Sequence, residues 1–207
     1  MSPEAQLEQG LAALGLNLAA PTRDTLLRYL VLLDKWNRVY SLTAIRDPKR
    51  AVSHHLLDCL AALPHLAGPK VVDVGSGAGL PGIPLAIARP GWQVTLVEPN
   101  RKKAAFLRQA AIELALSNVT VVEARAEEFR PPEGFDVVVA RALSDLGEFV
   151  RVAGHLAAPG GRLIAMKGLH PRKEIARLPA DWKVERVMQL PVPGVDGERH
   201  LVLVKRG

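Results

Sequence analysis

Three glycines at alternate positions, Gly75, Gly77 and Gly79, follow the β-branched run "KVVDV" and its acidic residue, Asp73. Apolar residues resume at Leu80 and continue with helical character through "GIPLAIA". A strand that passes through such a turn into a helix brings bare backbone close to a nucleotide-like ligand, since glycine has no Cβ to hold the ligand off. A triphosphate-cradling loop ends in Gly-Lys-Ser/Thr, which "GSGAGLPG" lacks. Gly77, Gly79 and Gly82 match a dinucleotide fingerprint, a generic signal when it stands alone. The third reading is S-adenosyl-L-methionine, whose ammonium and sulfonium are cationic and suit an acid at Asp73. A second strand ends at Glu98 in "TLVEPN", nineteen residues after Gly79, where a carboxylate accepts ribose hydroxyls. Ser76 lies inside the loop and Leu80 at its exit. After a third strand, "ARAEEF" puts Ala126 and Glu127 where an adenine edge would be read.

Methyl transfer from a sulfonium is an in-line displacement, so the nucleophile decides which side chains are needed. Carbon-5 of a pyrimidine needs a covalent thiolate helper. The single cysteine, Cys59, falls at the spacing of buried apolar neighbours in a helix, which assigns it to packing. Exocyclic base amines are gripped by an Asn/Asp-Pro-Pro-aromatic tetrapeptide after the fourth strand, absent from "FDVVVARALSDL". A guanine N7 fits what remains: its lone pair is exposed and unprotonated at neutral pH, so alignment suffices and no general base is required. Arg141 ends the fourth strand and Lys167 the fifth, both at the edge that faces the methyl group in a doubly wound sheet. The following loop, "KGLHPRKEIAR", adds His170, Arg172, Lys173 and Arg177. His54 and His55 stand four and three residues before Asp58, the spacing of a helix-surface pair. No His/Cys cluster in the sequence suggests a metal.

These groups need a sheet to hold them. From Lys70 onward the pattern alternates, with strands expected at 70–74, 93–97, 118–123, 135–140 and 161–167 and helices at 81–89, 100–116 and 145–157. Strands separated by helices imply right-handed crossovers and a parallel sheet covered on both faces. Two more strands, near 182–190 and 198–205, flank the turn-rich "PVPGVDGE" and form an antiparallel last pair. The first 68 residues read as helical: Tyr29, Leu33, Trp36 and Tyr40 share one face with Leu26 and Leu30, and Asp47-Pro48 caps a second helix carrying Val52, Leu56, Leu60 and Leu63. The expected organisation is an N-terminal helical extension, 1–68, and a Rossmann-like α/β domain of seven strands, 69–207.

At 207 residues and 48% apolar, the chain can bury a proper core. No apolar run reaches the roughly 20 residues of a membrane span, the start lacks signal-peptide blocks, and one cysteine suits a reducing compartment. The expectation is a cytoplasmic monomer with no membrane partner. Of the net charge of +6, the window 69–110 holds +4, from six basic and two acidic residues, which hints at a polyanion. With only nine Phe, Trp and Tyr, an interleaved aromatic platform for single strands is excluded. The residues alone thus reach a class I methyltransferase acting on RNA, and leave open a small-molecule methyltransferase, a nicotinamide-dependent oxidoreductase and a non-catalytic ribosome-associated protein.

Nearly the whole chain resembles the RsmG family, also named GidB, of small-subunit ribosomal RNA guanine-N7 methyltransferases. The resemblance is carried by "KWNRVYSLTAIRDP", "HHLLDCL", "DVGSGAGLPGIPLAI", "VEPNRKKAAFL", "ARAEEF", "ARALSDL", "MKG" and "RHLVLVKR". It implies methylation of the guanine at position 527 of 16S RNA, and it puts cofactor contacts at Gly75, Gly77, Leu80, Glu98, Ala126, Glu127 and Arg141. Two departures are Ser41, where the family often has asparagine, and Cys59, where it often has serine. Neither touches the proposed cofactor contacts. In this view the helical part helps dock the 16S rRNA or the small ribosomal subunit particle. Arg46, Lys49, Arg50, Lys167, Arg172 and Lys173 are the candidates for phosphate contact.

Overall fold

Proline at the first helical position and an oxygen-bearing residue before it start two of the N-terminal helices, the later one at Asp47-Pro48 as the sequence predicts. Ser2 caps α1 (Pro3–Ala13), and Asp47 accepts from the Lys49 amide to open α3 (Pro48–Ala51). Between them runs α2 (Ala20–Tyr40), which ends at Ser41 in the left-handed conformation. In a computed structural model of the chain, which describes residues 1–141 and 145–207, the helix opened by Asp47 does not continue as a regular α-helix. It widens into a π-helical stretch, Val52–Leu57, before a last turn, α4 (Asp58–Leu60). Ala142, Leu143 and Ser144, inside the "ARALSDL" motif, lie outside the described residues.

The remainder alternates as expected: β1 (Lys70–Val74), α5 (Gly82–Ala88), β2 (Gln93–Val97), α6 (Arg101–Glu113), β3 (Val119–Val122), β4 (Phe135–Arg141), α7 (Leu146–Ala153), β5 (Ala157–Lys167), α8 (Arg172–Ile175), β6 (Trp182–Gln189) and β7 (His200–Arg206). They form one seven-stranded sheet of order β3-β2-β1-β4-β5-β7-β6. Strands β1 to β5 pair in parallel, and β7 runs antiparallel to both β5 and β6. The order reverses between β1 and β4, which creates a crevice beyond their carboxyl ends.

Differences from the expected boundaries have local causes. The helix expected to reach residue 116 stops at Glu113, since Ala115 takes a positive φ of 53°. Strand β5 begins four residues early, because Ala157 pairs with Phe135 ahead of a register shift in β4.

Pleating sorts the sheet into two cores. Val71, Leu96, Val139, Ile164, Met166, Leu201 and Leu203 pack on one face, against α1, α2, α5 and α6. Val72, Val97, Val138, Leu163, Val202 and Val204 pack on the other, against Phe149 and Leu146 of α7. The first face shares a single apolar cluster with Leu7, Leu11, Leu26, Tyr29 and Leu56 of the N-terminal helices. Those helices are therefore seated directly on the face of β1 and β4 that carries Asp73 and Arg141. Among the described residues, no helix is long and apolar enough to cross a membrane.

Candidate active site

The turn after β1 is built from its own backbone. The amides of Gly75 and Ser76 both donate to the carbonyl of Val97, at 2.9 and 3.2 Å, which ties the loop to the end of β2. The Ser76 hydroxyl donates back to the Asp73 carbonyl at 2.9 Å, so this side chain closes the turn. Gly75 and Gly77 have φ of 68° and 57°, the left-handed region that excludes most side chains. A Cβ at Gly75 would meet nothing within 4 Å, and one at Gly77 only the Gly75 carbonyl oxygen at 3.8 Å. The space above these two glycines is open to a ligand. Gly79 and Gly82 serve packing instead: a Cβ there would lie 2.5 Å from Ile83 and 2.2 Å from Leu96, respectively. The third position of the dinucleotide fingerprint is thus a helix-to-strand contact, with Leu80 buried beside it.

Two buried carboxylates stand at the ends of β1 and β2, on either side of the loop in sequence. Glu98 is 4% exposed; its Oε2 accepts from the Gly77 amide at 2.8 Å and its Oε1 from the Asn100 amide at 2.9 Å. It fastens the glycine loop to the start of α6 and keeps further lone pairs on both oxygens. Asp73 has no exposed surface. Its Oδ2 accepts from the Gly82 amide at 3.0 Å, capping α5, while its Oδ1 is buried without a hydrogen-bond partner. Burial pushes its pKa up to about 7, against the opposing pull of the Gly82 amide, Ser76 and the Arg141 guanidinium. An orphaned buried oxygen of this kind signals a missing donor or cation.

The sign of the linkage follows from that shift. Between the ordinary 3.8 and about 7, the folded protein holds a proton on Asp73 that the unfolded chain has released. Ligand-free stability therefore falls as pH rises through this window, by on the order of a few kcal/mol. Urea unfolding at a series of pH values is expected to show the decline in the parent and its loss in Asp73→Asn. Parallel curves for the two proteins would remove Asp73 from this role.

Ala126 is buried against Val74 and Val97 at the start of a 3₁₀ turn, Ala126–Glu128, and Glu127 beside it is exposed, so both border the crevice beyond β3. Arg141, at the end of β4, points toward the N-terminal helices. Its Nη1 donates to the His54 carbonyl at 3.0 Å and to Asp58 Oδ2 at 3.1 Å. Asp58 is 5% exposed and His55 2%, which corrects the expectation of a helix-surface His–Asp pair. The π-helical stretch and the sheet turn this segment inward. The partners of the Asp58 carboxylate are arginines from 83 and 141 residues away, and His54 bonds Arg50 and Ser53 instead.

Lys167 departs from Arg141. It lies on the opposite face of the sheet, 2.8 Å from Glu174, which also accepts from the Leu146 amide. Arg46 lines a cavity of about 250 Å³ with Leu30, Leu33 and His55; Lys49, Arg50, Arg172 and Lys173 are exposed.

Sequence reasoning missed Tyr29, Asp58 and Arg199. Tyr29 reads as one more member of an apolar helix face, yet its hydroxyl donates to the Ala78 carbonyl at 2.6 Å and supports the glycine loop from below. For Arg199 no local signal exists. Its Nε reaches Asp58 Oδ1 at 2.9 Å through tertiary contact alone.

A family model described as "GidB: rRNA small subunit methyltransferase G" matches residues 22–202. The chain belongs to this family. Two curated relatives carry the name ribosomal RNA small subunit methyltransferase G. The one from Nitrosospira multiformis is 52% identical, with 100% of this chain and 99% of the relative covered. The one from Laribacter hongkongensis is 55% identical, with 98% of each covered. Among solved structures, glycopeptide N-methyltransferase MtfA complexed with S-adenosyl-L-methionine superposes at TM-score 0.62 with 13% identity, over 74% of this chain and 87% of that one. TrmN from Thermus thermophilus does so at 0.55 with 24% identity, over 75% and 53%. The fold is that of class I S-adenosylmethionine-dependent methyltransferases. In this member of the GidB family the matched span runs from α2 to the first residues of β7, with α1 before it.

Proposed function

We propose that this protein transfers the methyl group of S-adenosyl-L-methionine to N7 of the guanine at position 527 of 16S ribosomal RNA. The observation that carries the reading is the cradle, in a chain of the GidB family: open space at Gly75 and Gly77, Glu98 bonded to the Gly77 amide, and a buried, unpartnered Asp73 oxygen at the end of β1. The group it would hold supplies an electrophilic methyl on a sulfonium. Asp73 Oδ1 suits its ammonium, the spare lone pairs of Glu98 its ribose hydroxyls, and Ala126 with Glu127 its adenine edge. Gly79, Leu80 and Ser76 shape the loop, and Arg141 orients the reacting pair from the end of β4.

No side chain has to take a proton, because guanine N7 has none to lose. The buried groups agree with that chemistry. Burial holds the Cys59 thiol well above its ordinary range, so it is a packing residue and a poor thiolate. Burial and the nearby Arg141 press His55 down to about 4, which keeps it neutral at physiological pH. What the chain contributes is alignment and exclusion of water, worth about 7–11 kcal/mol in favourable cases. Arg141→Ala is expected to lower kcat by about 10²-fold, the scale of an ångström misplacement, with S-adenosylhomocysteine still bound. Full turnover in this variant would remove Arg141 from the site.

Residues 1–68 act in this reading as a helical extension to the methyltransferase domain, 69–207, that helps dock the small ribosomal subunit particle. Arg46, Lys49 and Arg50 meet phosphates from one side, and Lys167, Arg172 and Lys173 from the other. The protein works as a cytoplasmic monomer. Incubation with methyl-labelled S-adenosylmethionine and unmodified small-subunit particles should place label in a single guanine of 16S RNA. Label on another nucleotide or on a small molecule would overturn the assignment.

A further inference from the structure

Two guanidiniums share one buried carboxylate at the carboxyl edge of the sheet, and a third is bonded to the neighbouring His54. Asp58, with a side chain 7% exposed, takes Arg141 on Oδ2 at 3.1 Å and Arg199 on Oδ1 at 2.9 Å. Arg50 donates to His54 Nε2 at 2.9 Å, and the His54 imidazole is held below its ordinary range by burial and by Arg50 and Arg199 together. The nearest further acid in sequence, Glu198, lies 3.8 Å from His200 on the other face of β7. Two guanidiniums on one carboxylate leave an excess of one positive charge in a partly buried place. Arg141 alone would balance the charge of Asp58, which leaves the second cation available to an anion from outside.

The arginines divide the work by direction. Arg141 is committed inward, to Asp58 and the His54 carbonyl. Arg199, just before β7, faces outward with its side chain 28% exposed. A guanidinium carries five N–H donors. Arg199 spends one on Asp58 and one on the Glu198 carbonyl, and the described residues take no others. We propose that Arg199, held in orientation by the buried Asp58 carboxylate, binds a phosphodiester of the RNA backbone beside the target guanine. The proposal rests on the RNA reading above. Both Nη2 protons and one on Nη1 are left over, and such donors suit the oxygens of a phosphate.

The test measures binding of the full chain to small-subunit particles between 50 and 200 mM salt, with calorimetry on S-adenosylhomocysteine alongside. R199Q is expected to weaken particle binding about tenfold and to flatten the slope of log K against log salt by about one. Affinity for S-adenosylhomocysteine should stay within twofold, and kcat/KM should fall through KM. R199K, which keeps the charge without the fork, should retain the slope and lose part of the affinity. It is also the variant to use if R199Q does not fold. A purely structural Arg199 predicts the opposite: lower Tm in the variants, with particle affinity and salt slope unchanged. That result overturns the proposal. A parent protein with no salt-dependent particle binding overturns the RNA reading beneath it, which keeps the two failures distinct.

Discussion

Replacing Asp58 by alanine is expected to destabilise the fold by about 3–5 kcal/mol, the cost of breaking a buried ion pair on one side. The size follows from what is left behind. Arg141, 23% exposed, loses the carboxylate that offsets its burial and retains only the His54 carbonyl. Arg199 loses its bond at the same moment, and the two guanidiniums then face each other without the carboxylate between them. The same side chain joins three distant parts of the chain, the helical segment at 58, the end of β4 and the start of β7, so its loss also frees those parts from one another. Asp58→Asn keeps one acceptor and should cost less than alanine. Equilibrium urea unfolding reads both. A loss below about 1 kcal/mol for alanine would mean that water replaces the carboxylate, and that the contact is a surface pair of the usual small worth.

Glu98→Ala should weaken S-adenosylhomocysteine binding by about 1.5–3 kcal/mol, roughly 10- to 100-fold, the range for a hydrogen bond to a charged group. Two effects add. The carboxylate that would accept ribose hydroxyls is gone, and the Gly77 amide loses the acceptor 2.8 Å away that holds the loop in its open shape. Glu98→Gln separates them, since the amide oxygen can still take one backbone N–H while the charge is absent. Titration calorimetry at one pH measures all three proteins. Unchanged affinity in the alanine variant would mean that the sugar does not rest on this residue, and the cradle would need another occupant.

Periodicity and turn chemistry made much of this protein legible. The strands at 70–74 and 93–97 are observed as expected, because a parallel strand buried on both faces reads as an unbroken β-branched run. Helix starts at Asp47-Pro48 and Asn100 are visible for a local reason: the capping oxygen bonds to amides two or three residues on. The spacing of Gly75, Gly77 and Glu98 likewise encodes the cradle, since the loop and the end of the next strand are forced together by parallel pairing of β1 with β2.

Other features belong to the tertiary structure alone. The His54–Asp58 segment carries helical spacing in its sequence, but a π-helical widening and the face of β1 and β4 turn Asp58 and His55 inward. Tyr29 is indistinguishable from a packing residue until its hydroxyl meets Ala78, 49 residues on. Arg141 and Lys167 end neighbouring strands and look equivalent in the sequence, and pleat parity sends them to opposite faces, one to Asp58 and the other to Glu174. The residue pattern by itself determined the elements, the sheet and the two acids around a glycine turn, because these follow from hydrogen bonds and hydrophobic periodicity over a few residues. Which charges meet was decided only by the fold, since a contact such as Asp58 with Arg199 spans 141 residues and exists only when two packed layers bring its ends together.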